Sequence, residues 1–305
     1  MSQSFETDLI WIDGELVPWK DAKVHVMTKA LHYGTGAFEG IRAYWNEPQL
    51  YIFRLTKHIQ RLINSEKIYG FNSPLSLEEL RSAVIETVKA NSIRSDVYIR
   101  PLVITGYGPV GLDIRNLKAS TIIIIVRMGR YFEKAGISVV VSSWRRLSIQ
   151  SNPITAKVTG HYTNSVIAKN EALKDGYDDA ILLNDRGEVC EGSGENIFMV
   201  RDGELATPPI SSGTLDGITR SSIIKVARDM GFNVSERSIE RSELYSAEEL
   251  FFVGTAAEVT PIFEVDRRKV GGGTVGPITE RMKSKFGLIV RGMDNKYIDW
   301  LEPVY

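Results

Sequence analysis

One lysine of the sequence lies among small and apolar residues, an environment that changes the chemistry of an amine. Lys157 stands in the segment ITAKVTGHYTNS, with Ala156 and Val158 as its direct neighbours. Burial at this place would disfavour the charged ammonium, so that the neutral amine could act as a nucleophile near neutral pH. A solvated surface position is the commoner alternative for a lysine, and the segment alone leaves both open.

Two glutamates in the segment CEGSGENIF, residues 190–198, are the next candidates. Glu191 and Glu195 lie beside glycines, which allow the backbone to approach a ligand closely. A carboxylate here is either a solvated surface charge, which is the usual case, or the partner of a cationic heterocycle. The segment does not distinguish between the two.

Two further segments are suited to binding anions. The sequence SSGTLDG leads into Gly217, Ile218 and Thr219, which open a predicted helix. The free N–H groups of a helix start and the threonine hydroxyl suit a phosphate, although a plain helix cap explains the same pattern. The turn GTAA at 254–257 follows the apolar strand LFFV, and its small side chains leave the amides open to a second anion. A tight structural turn is the alternative there.

The composition argues against several other classes of protein. The chain has 305 residues with 37 basic and 38 acidic side chains, a net charge of −1, and no basic block that would attract a nucleic acid or an anionic membrane. Its apolar runs are too short to span a bilayer, and its N-terminus lacks the pattern of a signal peptide. The single Cys190 fits a reducing cytoplasm, and the four scattered histidines predict no metal site.

The elements that must position these residues form an α+β pattern in two blocks. We predict helices that begin at Thr56, Ser76, residue 163, about residue 218 and Pro277, and strands over 97–105, 121–127 and 137–142. A polar, glycine-containing connector at 128–136 separates the blocks. We therefore predict one domain over 1–127, an interdomain loop over 128–136 and a second domain over 137–305.

The ordered motifs along the chain resemble one enzyme family. They are HYGTGAFEGIRAY (32–44), FRL (53–55), YIRPL (98–102), TAKVTGHYTNS (155–165), EGSGENIF (191–198), TPP (207–209), LDGITR (215–220) and GTAAEVTP (254–261). Together they are similar to the branched-chain amino acid aminotransferases, which are fold-type IV enzymes that use pyridoxal 5′-phosphate (PLP). The likeness extends over nearly the whole chain.

The resemblance implies a two-domain α+β fold and a reaction. The small N-terminal α/β domain would form the substrate pocket, and the larger C-terminal domain, with a β-barrel-like core flanked by helices, would bind PLP. The enzyme would transfer amino groups between leucine, isoleucine or valine and 2-oxoglutarate by a ping-pong mechanism. A cytoplasmic homodimer, or a higher oligomer built from dimers, is also implied.

The resemblance assigns a role to each residue that matches the family's cofactor site. Lys157 would attach PLP covalently and afterwards move the proton of the substrate, acting as a general base. Glu191 would bind the pyridine nitrogen, Tyr162 the ring hydroxyl and Arg54 the phosphate. Leu215 would pack against the ring. The remaining phosphate ligands would be Gly217, Ile218, Thr219, Gly254 and Thr255.

The resemblance also implies a substrate pocket. Its wall would consist of Tyr33, Phe38, Gly40, Arg42 and Tyr131. Tyr98 would orient the α-carboxylate and Arg100 would pair with the side-chain carboxylate of glutamate, while the backbone of Thr255, Ala256 and Ala257 would bind a substrate carboxylate. Leu112 would reach the site of a neighbouring subunit.

Two departures from the family pattern concern substrate preference. Met128 stands where many bacterial members have a tryptophan, and His161 replaces the commoner asparagine. A flexible methionine predicts a looser pocket with some tolerance of aromatic substrates. The alternatives are a D-amino-acid aminotransferase or an aminodeoxychorismate-lyase-like enzyme of the same fold, against which YIRP and FEGIR argue, and a non-catalytic protein, against which the intact Lys157 argues.

Overall fold

The computed structural model describes residues 5–71, 73–129 and 131–305. Arg130 of the predicted interdomain loop therefore lies outside the described residues, as do residues 1–4 and Asn72 of the first predicted domain. The chain divides into two compact units. The first is drawn from 1–129, 156–160 and 288–305, and the second from the rest of the chain up to residue 287.

A sheet of eight strands among the described residues forms the frame of the first unit. In chain order the strands are β1 (Leu9–Ile12), β2 (Glu15–Pro18), β3 (Gly36–Phe38), β4 (Ile41–Asn46), β5 (Gln49–Phe53), β6 (Val97–Thr105), β7 (Ala119–Arg127) and β17 (Leu301–Pro303). They pair antiparallel in the order β17-β5-β4-β6-β7-β1-β2, and β3 pairs with β6. The predicted strands at 97–105 and 121–127 are confirmed as β6 and β7.

A second sheet, with nine strands among the described residues, belongs to the second unit. These strands are β8 (Ile137–Arg145), β9 (Asp179–Leu183), β10 (Val189–Gly192), β11 (Asn196–Arg201), β12 (Glu204–Thr207), β13 (Val234–Glu236), β14 (Glu249–Gly254), β15 (Glu258–Val265) and β16 (Arg268–Lys269). Their order is β10-β9-β8-β15-β14-β11-β12-β13, with β16 on β15. The neighbours of β8 are parallel to it, as is β13 to β12. The predicted α+β fold is confirmed: it contains two sheets, one of which curls into a half-barrel.

The α-helices begin and end close to the positions that capping residues predict. They are α1 (Lys29–Tyr33), α2 (Leu55–Tyr69), α3 (Leu77–Ala90), α4 (Tyr162–Lys174), α5 (Ile218–Asp229) and α6 (Pro277–Val290). Ser76 caps α3, because its hydroxyl accepts from the Glu79 N–H while the Glu79 carboxylate accepts from the Ser76 N–H. Gly70 ends α2 with φ of 75°, a left-handed conformation that suits glycine.

Each unit has an apolar core of its own. In the first unit, Ile59 of α2 and Val84 of α3 pack with Ile41, Ile99 and Ile123 of the sheet. In the second unit, Val139, Ile197 and Phe252 lie in a cluster formed by its strands. Because side chains alternate between the two faces of a strand, burial of these apolar residues fixes the register of the strands. The positions of the residues at the strand ends are fixed with it. Among the described residues, no helix is long and apolar enough to cross a membrane.

Two segments belong to the first unit although they follow the predicted connector 128–136. Val158 forms a β-bridge with Ala37, and the N–H of Phe38 donates to the carbonyl of Lys157 at 3.0 Å. At the C-terminus, β17 pairs with β5 through Leu301 and Phe53. A single break at 128–136 would have placed both segments in the second unit. The difference arises because these pairings join residues that are distant in sequence.

Candidate active site

Lys157 lies in the first unit, and its backbone is fixed from two sides. Besides the bond from Phe38, its N–H donates to the Ser65 hydroxyl of α2 at 2.9 Å. Burial is the main cause that lowers the pKa of the Lys157 amine, from 10.5 to about 8, and the positive charge of Arg61 lowers it further. The negative charge of Glu39 acts in the opposite direction. The predicted nucleophilic amine thus has the desolvated environment that its neighbours indicated.

Aromatic and small residues surround this amine. The Lys157 ammonium lies 4.7 Å from the centre of the Phe38 ring, and the Arg100 guanidinium lies 4.6 Å from the same ring. Arg100 also donates to the Tyr98 hydroxyl at 2.8 Å. Gly40 leaves the space that Tyr98 occupies, because a Cβ atom at residue 40 would lie 2.0 Å from the Tyr98 hydroxyl. The structure therefore brings Phe38, Gly40, Tyr98 and Arg100 together with Lys157.

A buried carboxylate anchors Arg61, one of the cations whose charge lowers the pKa of Lys157. Arg61 donates from Nε to Oε1 of Glu39 at 2.5 Å and from Nη2 to Oε2 at 2.8 Å, while His58 Nδ1 donates to Oε2 at 2.7 Å. Glu39 is fully buried. Although its burial acts in the opposite direction, the charges and hydrogen bonds of Arg61 and His58 hold the pKa of Glu39 well below its usual range. Because α2 places residues three apart on one face, His58 and Arg61 bind Glu39 together.

Arg54, the predicted arginine of the phosphate, directly precedes α2. Its φ is 55°, and its guanidinium stacks on the Trp300 ring at 4.3 Å. It lines a cavity of about 150 Å³ with residues 55–57 and 299–302. The guanidinium groups whose charges act on Lys157 are those of Arg61 and Arg100. Two helical turns of α2 separate Arg54 from Arg61, and the binding of the PLP phosphate by Arg54 stays a prediction.

Two other predicted pocket residues of the first unit, Arg42 and Tyr33, hold loops, and a third, Leu112, lies on one. Arg42 donates to the carbonyls of Gly129 at 3.1 Å and Met128 at 3.4 Å. The Tyr33 hydroxyl accepts from the Gly111 N–H at 3.2 Å. The next residue, Leu112, is 81% exposed. Leu112 thus lies on a tethered but exposed loop, apart from the cluster around Lys157.

In the second unit, Glu191 is a buried carboxylate with a full set of donors. Its Oε2 accepts from the Thr214 hydroxyl at 2.8 Å, the Leu215 N–H at 2.9 Å and the Asn196 amide at 3.4 Å. Its Oε1 lies 2.6 Å from Nε of Arg146. Glu191 lies on β10, and Asn196 is the first residue of β11. These donors fix the orientation of the carboxylate.

The start of α5 and the turn after β14 are also built as anion-binding elements. Gly217 precedes α5 without a capping side chain, and Thr219 is buried in the first turn. A Cβ atom at residue 217 would lie 1.9 Å from Oδ1 of Asn196, so only glycine fits there. The first N–H groups of a helix lack partners within the helix and attract a phosphate. The predicted phosphate site at Gly217, Ile218 and Thr219 has the required local structure.

Tyr131 lies near the turn 254–257 within the second unit. It lines a cavity of about 160 Å³ with Ala256, Ala257, Lys134 and Lys283, among others. Gly254 and Thr255 lead into this turn from β14. Tyr162 is the first residue of α4 and lies close enough to Arg146 to interact with its guanidinium. The second unit therefore brings Tyr131 to the predicted carboxylate-binding amides, and Tyr162 and Leu215 to the surroundings of Glu191.

Five residues with evident roles were missed in the sequence: Glu39, Arg61, Arg146, Asn196 and Thr214. Glu39 stands between Phe38 and Gly40, and Asn196 ends the EGSGEN motif. Because each is next to predicted site residues, the sequence could have indicated both as members of the site. Arg61 shares the periodic face of α2 with His58, which the spacing of a helix could have indicated. Nothing local marks Arg146 or Thr214, since each meets Glu191 only through the pairing of distant strands and loops.

The donor set fits PLP. The cofactor needs an amine for attachment, an anion for its ring nitrogen and donors for its phosphate, and the described residues supply a desolvated lysine, a buried carboxylate and an open helix start. Nη1 of Arg146 is buried and has no hydrogen-bond partner among the described residues. No group of three or more His, Cys, Asp or Glu in the described ranges could hold a metal ion.

Comparisons with known proteins agree with this donor set. The model of the family "Amino-transferase class IV" matches residues 36–265. A relative from Aquifex aeolicus, described as a probable branched-chain-amino-acid aminotransferase, is 44% identical and covers 100% of this chain and 99% of its own length. The structure of a branched-chain aminotransferase from Thermoproteus uzoniensis with norvaline has a TM-score of 0.95, with 49% identity over 98% of this chain and 100% of that one.

A third comparison concerns the cofactor. The PLP form of the branched-chain amino acid aminotransferase from Thermobaculum terrenum has a TM-score of 0.94, with 37% identity over 99% of this chain and 100% of that one. Sequence identities at this level, over nearly the whole of each chain, agree with the family that the ordered motifs indicated. The chain belongs to the class IV aminotransferases and, within them, to the PLP-dependent branched-chain amino acid aminotransferases.

Proposed function

We propose that the enzyme transfers the amino group of leucine, isoleucine or valine to 2-oxoglutarate, giving branched-chain 2-oxo acids and L-glutamate by a ping-pong mechanism. The observation that carries the proposal is the Lys157 amine, whose pKa is lowered to about 8 by burial and by Arg61. A desolvated amine can bind a carbonyl cofactor covalently and can afterwards accept a proton near neutral pH. The names of the full-length relatives supply the substrate class.

Bound PLP supplies an electron sink for the bond that is broken at the substrate Cα. We infer that Lys157 attaches it, that Glu191 accepts from its ring nitrogen and that Tyr162 donates to its ring hydroxyl. Leu215 packs against the ring. The α5 start, with Gly217, Ile218 and Thr219, binds the phosphate together with Gly254 and Thr255. The predicted arginine of the phosphate is Arg54, and we propose Arg61 as a second one, because its positive charge lowers the pKa of Lys157.

The substrate residues follow from the cluster around Lys157. Phe38 and Gly40 provide an apolar wall with room for a branched side chain, and Tyr98 orients the α-carboxylate. Arg100 lies over Phe38 at 4.6 Å and can pair with the side-chain carboxylate of glutamate. Without such a partner, a buried carboxylate would be costly. Tyr33, Arg42 and Tyr131 complete the pocket, and the amides of Ala256 and Ala257 bind a carboxylate. Met128 leaves room for aromatic side chains.

The test of the proposed function is the visible absorbance of the purified protein. We expect a yellow band of bound PLP that bleaches when L-leucine is added and that is absent in Lys157→Ala. Lys89→Ala, which changes an exposed lysine of α3, is the control and should keep both properties. A colourless protein that takes up no PLP would contradict the proposal. Faster turnover of D-alanine than of L-leucine would assign the chain to the D-amino-acid enzymes of the same fold.

We also propose that two copies of the chain form a homodimer through an apolar face of the first unit. This face consists of the exposed residues Val24, Val26, Leu31, Tyr107, Val110 and Leu112. Its two segments adjoin, since Thr28 forms a β-bridge with Tyr107 and Val110 lines a small cavity with Met27. Exposed apolar patches of this kind mark protein interfaces.

Two coarser assignments belong to the same proposal. The first unit would form the substrate pocket, and the second would carry the PLP residues other than Lys157, Arg54 and Arg61. The cytoplasm is the expected compartment, because the single Cys190 is buried and the chain shows no disulfide requirement.

A further inference from the structure

An arginine that no predicted role includes lies against the carboxylate of Glu191. Arg146 directly follows β8, and its N–H donates to the Leu183 carbonyl of β9 at 2.8 Å. Its guanidinium reaches Oε1 of Glu191, with 2.6 Å between Nε and Oε1. Arg146 is 7% exposed and Glu191 6%. The pair is therefore a buried ion pair whose arginine is anchored through the second sheet.

The two oxygens of Glu191 differ in what they contact. Oε2 meets the neutral donors of Thr214, Leu215 and Asn196. Oε1 meets the cation of Arg146, which is the positive group within ion-pair distance of Glu191 among the described residues. The neutral donors hold the carboxylate in place, whereas Arg146 alone adds a full positive charge. Burial opposes that charge, yet the negative charge of Glu191 raises the pKa of Arg146 above its usual value.

A carboxylate that binds a protonated heterocycle can leave the proton on the ring or take it. The outcome depends on how strongly each partner attracts the proton. A buried carboxylate without a neighbouring cation attracts a proton strongly, since burial disfavours its charge. A guanidinium in contact with the carboxylate reverses this preference, and it does so without leaving its own charge unpaired.

We propose that Arg146 is a positioning residue that keeps Glu191 in its carboxylate form and thereby keeps the proton on the ring nitrogen of the bound cofactor. The inference rests on the proposed role of Glu191 as the partner of that nitrogen. Arg146 acts on Glu191 through its positive charge, and the neutral hydrogen-bond donors on Oε2 cannot replace that charge. The electron sink of the reaction depends on that proton, so the ion pair matters for turnover although Arg146 need not touch the substrate.

The experiment uses holoenzyme reconstituted with PLP whose ring nitrogen is labelled with nitrogen-15, and the NMR shift of that nitrogen reports its protonation. Wild type, R146Q, R146M and T214V are compared, with E191Q as the reference for a site without the carboxylate. We expect the protonated resonance in wild type and T214V, and its loss to the unprotonated position in R146Q, R146M and E191Q. A purely structural role of Arg146 would not move this resonance in variants that retain PLP.

Each result bears on one step. A wild-type resonance at the unprotonated position would contradict the role of Glu191 and this inference with it. A protonated wild type together with a protonated R146Q or R146M would overturn only the inference on Arg146. If both neutral variants fail to fold or to retain PLP, T214V decides, because loss of the protonated resonance there would show that hydrogen bonds on Oε2, and not the charge of Arg146, control the proton.

Discussion

Gly40 shapes the predicted substrate pocket by the side chain that it lacks. A Cβ atom at this position would lie 2.0 Å from the Tyr98 hydroxyl, so G40A must displace Tyr98 from its bond with Arg100. We expect the KM for L-leucine to rise by about tenfold, the effect of about 1.4 kcal/mol, while PLP absorbance stays unchanged. Steady-state kinetics with L-leucine and 2-oxoglutarate measure this change in KM.

The control for this prediction is G287A. Gly287 lies in α6, and a Cβ atom there would meet nothing within 4 Å. An alanine at that helical position should leave the kinetics unchanged and stabilise the protein slightly. If G40A keeps the wild-type KM for both substrates, Tyr98 does not orient the substrate carboxylate.

Lys157 makes the protein without PLP less stable, because folding removes its amine from water. The fall of its pKa from 10.5 to about 8 corresponds to as much as about 3 kcal/mol. The sign follows from the lowered pKa: the penalty is complete below pH about 8, where the folded protein carries the buried charge. It disappears as the pH rises to 10.5, where the unfolded chain also loses the proton. We expect K157M to unfold at higher denaturant concentration than wild type at pH 7.

The comparison of apoproteins by urea unfolding at several pH values checks this expectation. The advantage of K157M should shrink as the pH approaches 10.5. K89M changes an exposed lysine and should show no advantage at any pH. A K157M apoprotein that is no more stable than wild type at pH 7 would show that the amine is hydrated in the folded state.

At the scale of elements, α2 is joined to the segment after β3 by one buried carboxylate. Glu39 accepts from Arg61 and His58, which lie on the same face of α2. E39Q keeps the shape of the side chain but leaves the partly buried guanidinium of Arg61 without the negative charge of Glu39. We expect the free energy of unfolding to fall by about 3 kcal/mol, which is typical when one partner of a buried ion pair is removed. Denaturant unfolding measures this change, and the slope of the unfolding free energy against denaturant concentration should stay the same.

The matched control on a helix surface is E78Q. Glu78 pairs with Arg81 at 2.7 Å, but its side chain is 72% exposed. Solvent screening makes such a pair weak, so the change should stay within about 0.5 kcal/mol. Equal effects of E39Q and E78Q would mean that the network at Glu39 contributes no more than a surface ion pair.

The whole molecule shows which features sequence patterns can predict. Local periodicity and caps place α2, α3 and the strands at 97–105 and 121–127 within a few residues, because each depends on neighbours in the chain. The ordered motifs identify the family. The pairing of β17 with β5, and the attachment of 156–160 to the first unit, depend on contacts between distant segments. The same limit applies to Arg61, because only the fold shows that its guanidinium acts on Lys157.

Assembly is the last property of the whole molecule that the structure predicts. The apolar face with Val26 and Leu112 exposes side chains that are 74% and 81% accessible. Charged residues within such a contact oppose association because they lose their hydration. We expect V26K/L112K to raise the dissociation constant of the homodimer by about 100-fold or more, the effect of about 2.8 kcal/mol. Sedimentation equilibrium of wild type and variant measures this change.

I68K, which alters an exposed residue of α2 outside the face, should leave the dimer intact. A V26K/L112K protein that remains as dimeric as wild type would place the interface elsewhere, and loss of PLP absorbance in the monomer would show that assembly and the cofactor site depend on each other.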